Sequence, residues 1–196
     1  MSDQIVLVRH AVTAETRTGR MSPNDATPLD EGGRAQADAV GVALAGRHFD
    51  LVLASPTARA WETAERAGLG DAAEACDALV EWDYGAYVAR RTDDVRAEVP
   101  GWNLFADGTP GGESPVDVAA RLSPVIDRLR AARGDVAVVA HGHLLRALIA
   151  CWLELPMVHA GRLVVDPASI SVLGRHRSMP ALVGLNDRHH LVGIDA

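Results

Sequence analysis

The order of elements along the chain predicts an α/β protein, a three-layer α/β/α sandwich around a mostly parallel sheet with a small cap segment. Two observations carry this expectation. Short apolar runs, "IVLV", "LVLA" and "VAVV", lie far apart and have the length of buried strands. Between them stand Ala-rich segments whose apolar residues recur at helical spacing, so strand and helix alternate.

Residues 4–9 read as the first strand. "TPLDEGGRAQADAVGVALAG", residues 27–46, opens on a turn and continues as a helix ending near Gly46. "FDLVLASP", residues 49–56, is the second strand, and Pro56 suits the first turn of a helix running to about Ala67. In residues 113–132, Ser114 stands as N-cap, Pro115 at the first helical position and Asp117 in the first turn. Val118, Leu122, Val125, Ile126 and Leu129 then repeat at helical spacing, with a kink expected at Pro124. "DVAVVAHGH", residues 135–143, is a third buried strand, followed by a helix over Leu144 to Leu153. "RLVV", "SISVLGR" and "ALVGLN" read as further strands or a meander. Residues 82–112 have weak periodicity and are rich in Gly, Pro and aromatic residues. They form the expected cap, a substrate-covering segment within a single domain over residues 1–196.

Composition removes several classes of function. Of the 196 residues, 48% are hydrophobic and 23% charged, ordinary for a soluble globular chain. The first apolar stretch, Ile5 to Val8, is too short for a signal peptide, and Leu144 to Leu153 is too short for a membrane span and is broken by Arg146. The expectation is a cytoplasmic protein without a membrane partner. Cys76 and Cys151 stand alone, which argues against a disulfide framework or zinc knuckle. A net charge of −7 argues against nucleic acid as partner. Lysine is absent and all 19 basic residues are Arg, so a P-loop lysine, a Schiff-base lysine and a PLP anchor are excluded. A phosphate site here would be built from Arg, His and backbone amides.

Chemistry collects where the three strands end. The first ends on Arg9-His10, the second on Ser55-Pro56 with Arg59 one helical turn on, and the third on His141-Gly142-His143. Ligands of open α/β sheets bind beyond the carboxyl ends of the strands. If the strands are neighbours, two guanidiniums suited to phosphoryl oxygens meet two imidazoles, one of them a nucleophile. Flanking cations would keep that imidazole unprotonated. Gly142 would let the backbone approach a ligand. His141-x-His143 alone also fits half of a metal site, but no further ligand pattern accompanies it. The expected metal and cofactor content is none.

Six blocks then carry a resemblance. "LVRHAVTAET" resembles LVRHGxTxxN, "TPLDEGGRAQA" resembles xPLTxxGxxQA, and "LVLASPTARAWETA" resembles xxSxxxRxxxTA. "EWDYGAY" is similar to ExxxGxxEG, "GGES" to a GES turn, and "VVAHGHLLRAL" to VSHGxxxRxL. Their order and spacing over residues 5 to about 153 resemble the histidine phosphatase superfamily, the phosphoglycerate mutase-like proteins. The resemblance implies His10 as the nucleophile that becomes phosphohistidine and Glu81 as the proton donor. It implies Arg9, Arg59 and His141 as the phosphate pocket. From the residues alone Asp83 would rival Glu81. The family's Gly after the nucleophile is Ala11 here, its Asn is Thr16, which keeps one hydrogen-bond donor for phosphate, and its "EG" is Val88-Ala89. His143 offers its backbone amide or shapes the pocket mouth.

Within the family, the mutases carry a basic, lysine-containing insert after the proton-donor block, ending in an Arg pair. Here about thirty residues separate Glu81 from Glu113, and Arg90-Arg91 comes too early. The block resembles the phosphatase branch that includes broad-specificity acid phosphatases. The expectation is therefore a metal-independent phosphomonoester hydrolase acting on a small phosphorylated metabolite, with a homodimer allowed but not required. The alternatives are a mutase or sugar bisphosphatase of the same family, a zinc hydrolase, and a non-catalytic phospho-ligand-binding protein. Trp82, Tyr84, Tyr87, Trp102 and Phe105 either line an apolar mouth or pack the cap.

Overall fold

The computed structural model describes residues 4–23 and 27–194. Its centre is a six-stranded sheet built from β1 (Ile5–Arg9), β2 (Leu51–Ala54), β3 (Ala73–Ala75), β4 (Val136–Ala140), β5 (Ile170–His176) and β6 (Met179–Asp187), in the order β3-β2-β4-β1-β5-β6. The first four are parallel, and β5 and β6 close one edge as an antiparallel hairpin. Of the C-terminal apolar runs, residues 170–176 and 179–187 are strands, but "RLVV" is not. It follows a 3-10 turn at Met157–Arg162 as extended chain, because β4 and β5 already occupy both edges of β1.

Alternation along the strands divides the core in two. Ile5, Leu7, Leu53, Val136 and Val138 face one layer, where α6 (Pro115–Ala131) and α7 (Gly142–Trp152) pack. Val6, Val8, Val52, Ala137 and Val139 face the other, covered by α2 (Glu31–Leu44) and α3 (Ala58–Arg66). Burial on both faces explains why the strands are apolar throughout rather than alternating.

Local signals set the helix ends, with two corrections. In α6 the Ser114 hydroxyl accepts from Asp117 N–H while the Asp117 carboxylate accepts from Ser114 N–H, a capping box, and the helix continues through Pro124. Helix α3 begins at Ala58 with Thr57 as N-cap, so Pro56 lies just outside the first turn rather than in it. Helix α7 begins at Gly142, two residues before the expected start. Its N-cap is His141, and Gly142 and His143 therefore belong to the first turn. Between β1 and α2 lies the short α1 (Ala14–Thr18).

Residues 82–112 hold a 3-10 turn at Gly85–Tyr87, α4 (Thr92–Glu98) and α5 (Leu104–Asp107). Trp82, Tyr84, Val95, Trp102, Leu104 and Phe105 are all buried here and join the α6–α7 side of the core. Among the described residues, no helix is long and apolar enough to cross a membrane.

One contact ties the fold to the loop after β1. Asp30 caps α2 by accepting from Gly33 N–H at 2.7 Å, and Asp30 N–H donates to the Val12 carbonyl at 3.2 Å. Gln36 of the same helix accepts from Val12 N–H. A Cβ on Gly33 would lie 2.0 Å from the Val12 carbonyl oxygen, which is backbone and cannot swing aside. We therefore expect Gly33→Ala to lower stability by about 3 kcal/mol or more, a size typical of forced backbone displacement. Urea unfolding would measure it, and an unchanged midpoint would refute the close contact.

Candidate active site

Parallel pairing brings three strand ends to one height. Arg9 lies opposite Ala140 across the β1–β4 ladder, and Ala54 opposite Val139 across β2–β4. His10 N–H then donates to the Ala140 carbonyl and Ser55 N–H to the Val139 carbonyl. The strands are neighbours, and the histidines that follow two of them meet with ring centroids 5.1 Å apart.

His10 is buried, and its Nδ1 lies 2.8 Å from the carbonyl of Ala11. A carbonyl only accepts, so Nδ1 carries the proton and Nε2 of the neutral ring holds a lone pair. The Ala11 peptide is itself fixed, its N–H donating to the Thr63 hydroxyl, which in turn donates to the Arg59 carbonyl on α3. Burial, and then the charges of Arg9 and Arg59, hold the His10 pKa well below the usual imidazole range. The ring is neutral across the physiological range.

His141 is buried with Nε2 2.8 Å from Ser55 Oγ and 3.2 Å from Thr57 Oγ1. Its Nδ1 is buried with no hydrogen-bond partner among the described residues. Burial, followed by His10 and the two arginines, depresses its pKa strongly. Arg9 is anchored by Nη1 on the Val165 carbonyl at 2.7 Å, and its Nε is buried without a hydrogen-bond partner among the described residues. The "RLVV" segment, though not a strand, thus orients this guanidinium. Arg59 is fully buried on α3. A Cβ at Gly142 would come within 3.0–3.2 Å of the Arg9 guanidinium, so this position admits glycine by close approach.

Glu81 lies across from these groups and is also buried. Its Oε1 accepts from Trp82 and Leu144 N–H, both at 2.9 Å, and its Oε2 accepts from His143 N–H at 3.2 Å. His143 and Leu144 lie in the first turn of α7, whose N-cap supplies no side-chain bond, so Glu81 caps the helix from another segment. The His143 amide is thereby committed to Glu81, and what His143 presents to the pocket is its ring. Tyr84 Oη lies 2.6 Å from His143 Nδ1. Burial, the charge of Glu81 and a side-chain hydrogen bond to it raise the Tyr84 pKa far above its usual value, so the phenol keeps its proton. Asp83 is exposed and accepts from Gly85 N–H, so geometry separates Glu81 from its rival. Glu113 holds the segment in place. Its carboxylate accepts from Asp83 N–H and forms a bidentate pair with Arg121, which also donates to the Ala78 and Val80 carbonyls.

A cavity of about 220 Å³ joins these groups, its wall including Arg9, His10, Arg59, Glu81 and Gly142. Thr16 also lines it, with its hydroxyl donated to the Thr13 carbonyl and accepting from Thr13 N–H in the cap of α1. His141 is not on the wall but packs behind His10. Sequence reasoning missed Arg20 and Arg146 as lining residues. Arg146 is the Arg of the "VVAHGHLLRAL" block, which could have flagged it, whereas Arg20 falls between blocks and carried no signal. Of the aromatic cluster, Tyr84 alone reaches this cavity, and Trp82 packs against Phe105 in the core. Among the described residues, no three His, Cys, Asp or Glu side chains cluster to hold a metal ion.

Sheet order, layers and the strand-end site together define a three-layer α/β protein with its candidate centre beyond a parallel sheet. A model of the histidine phosphatase superfamily (branch 1) matches residues 5–188, and the chain belongs to that family. It is 33% identical over 191 residues to an acid phosphatase of Mycobacterium tuberculosis, covering 95% of this chain and 94% of that protein. It is 35% identical over 168 residues to a 2,3-bisphosphoglycerate-dependent phosphoglycerate mutase of Mesorhizobium japonicum, covering 76% and 81%. Among solved structures, that of an open reading frame product of M. tuberculosis superposes with a TM-score of 0.89 at 33% identity, covering 95% of this chain and 98% of that one.

Three neutral imidazoles, His10 and His141 buried and His143 half-buried, have a consequence for stability. His143, held at about 4 by burial against the opposing pull of Glu81, binds its proton in the unfolded chain near 6.5. His10 and His141 are shifted in the same direction. Below the unfolded value the unfolded chain binds more protons, so stability is full above pH 6.5 and falls as pH drops toward the folded values. Each histidine contributes a slope of up to about 1.4 kcal/mol per pH unit. Chemical denaturation between pH 7 and 4 is expected to show this fall, with a shallower slope in His143→Gln. Equal slopes in the two proteins would contradict the assignment.

Proposed function

We propose that the protein is a phosphomonoester hydrolase that works through a phosphohistidine on His10. The observation that carries the reading is the bond from His10 Nδ1–H to the Ala11 carbonyl, which leaves Nε2 unprotonated in a cavity walled by Arg9, Arg59 and Glu81. Nε2 attacks phosphorus as the ester P–O bond breaks, and the Glu81 carboxyl gives its proton to the departing alkoxide. Water then attacks the phosphohistidine, Glu81 takes a proton from it, and the P–N bond breaks to release phosphate. The guanidiniums of Arg9 and Arg59 bind the phosphoryl oxygens, His141 backs the His10 ring, and the Gly142 N–H, the first-turn amide that Glu81 does not take, adds a further donor. Thr16 shapes the wall beside them. Such preorganised charge supplies the largest share of the rate enhancement.

Hydrolysis is favoured over mutase chemistry by the place of the Arg pair. Arg90 is paired with Glu98, Arg91 caps α4 on the surface, and neither lines the cavity. The substrate in this reading is a small phosphorylated metabolite rather than nucleic acid, in keeping with the net charge of −7. Two free cysteines suit a reducing cytoplasm. The outer edge of β6, with Met179, Val183 and Leu185 exposed, is the surface a homodimer would use.

Rapid quenching of the protein with a labelled generic phosphomonoester in EDTA tests the cycle. Wild type is expected to carry acid-labile, base-stable label and release phosphate, and His10→Ala to do neither. Glu81→Gln should still label with an activated aryl ester but turn over alkyl esters about 10²–10⁴-fold more slowly. Turnover that survives His10→Ala and disappears in EDTA would refute the mechanism.

A further inference from the structure

The cavity does not stop at the candidate nucleophile. Thr92, His143 and Arg146 line both it and a second cavity of about 190 Å³ under the cap, which Arg96 and Asn103 also line. Arg146 is anchored by Nε on the Ala160 carbonyl at 3.0 Å, its guanidinium 4.6 Å from the centroid of the Phe105 ring. Arg96 is anchored in the same way, by Nε on the Trp102 carbonyl at 3.2 Å. One nitrogen of each fork is thus fixed on backbone, and neither guanidinium pairs with a carboxylate of the described residues, whereas Arg17, Arg34, Arg66 and Arg121 all do. Among the described residues the second cavity has no Asp or Glu on its wall. Burial depresses the pKa of Arg146, with Arg9 and Arg96 adding to the effect and Glu81 opposing it, so Arg146 stands electrostatically between the two cavities. Arg146, half-buried beside a polar hollow and with no carboxylate of the described residues paired to it, carries a desolvation cost that an anion in the hollow would offset, and the exposed Arg96 adds a second cation at its rim.

We propose that the second cavity is a subsite for another anionic group of the same substrate, bound by Arg96 and Arg146, so that preferred substrates are phosphomonoesters bearing a carboxylate or second phosphoryl group a few bonds from the ester. The phosphoryl end of this assignment rests on the function proposed above. The planar guanidiniums give the bidentate geometry that either anion accepts. The neutral His143 ring and the Thr92 hydroxyl, which line both cavities, offer hydrogen bonds along the passage between the two ends. The cap thereby acts in substrate choice through charge, while its aromatic residues pack the core.

Calorimetric binding to the His10→Ala protein separates this assignment from the chemistry. The ligands are ω-carboxyalkyl phosphates of three to six carbons, the α,ω-bisphosphates of equal length, and the isosteric ω-amides. At one chain length a terminal anion is expected to bind about tenfold or more tightly than the amide, the scale of a charge-assisted hydrogen-bond pair. The ratio should fall toward one in Arg146→Gln and in Arg96→Gln, the second of which alters an exposed residue and so guards against misfolding. Whichever anion shows the larger ratio identifies the group the subsite takes. A ratio near one at every length, a ratio unmoved by both substitutions, or no binding of any ligand would overturn the subsite. A preserved ratio in a protein whose wild type forms no phosphohistidine would overturn the hydrolase reading instead and leave the subsite standing.

Discussion

Arg9 stands opposite Ala140 and Ala54 opposite Val139, so β2, β4 and β1 run out at the same height and their next residues meet. Much of the molecule depends on that register. A parallel ladder has evenly spaced hydrogen bonds and helices on both faces, so its rigidity is shared by the whole core. His10, Ser55 and His141 are each the first residue past such a strand, and the N–H groups of His10 and Ser55 still continue the ladder there. A slip of one residue in any strand would turn its apolar residues to the wrong layer and carry its terminal side chain away from the others.

The site concentrates positive charge with little compensation, and the surrounding structure is arranged to hold it. Arg9 leans on a backbone carbonyl rather than a carboxylate, and the histidines stay neutral because burial and neighbouring cations disfavour their protonation. Among the described residues Glu81 is the one carboxylate on the cavity wall, and it is kept there by the first turn of α7. Its strand of chain is in turn strapped by Glu113 and Arg121, a bidentate pair that reaches across to the carbonyls of residues 78 and 80. Helix, carboxyl and strap form one unit, so the first turn of α7 presents Gly142 to the cavity with its other amides already taken.

The cap has a double character that follows from its composition. Its aromatic residues are large enough to extend the core over the α6–α7 layer, and they do so almost completely. Of its arginines Arg96 settles at the boundary, hung by Nε from the Trp102 carbonyl and facing a cavity that it shares with Arg146 of α7. Packing and charge are thus sorted along the same thirty residues.

Local chemistry in the sequence determined a good deal. Apolar runs of strand length, the Ser114–Asp117 capping box and the strand-ending Arg9-His10 and His141-Gly142 are nearest-neighbour signals, and the structure places them where those signals point. The motif blocks extended this to Glu81, which spacing could not separate from Asp83. What the tertiary structure decided depends on contacts between segments far apart in the chain. The Val165 carbonyl meets Arg9 from 156 residues away, and Glu81 caps a helix some sixty residues later. "RLVV" looks like a strand by composition but runs by β1, whose two sides are already taken by β4 and β5. Arg96 and Arg146 look like surface charges until the cap folds them around a common hollow. Side-chain type and short spacing are written locally, whereas edge availability, burial and the meeting of distant charges exist only once the chain has closed on itself.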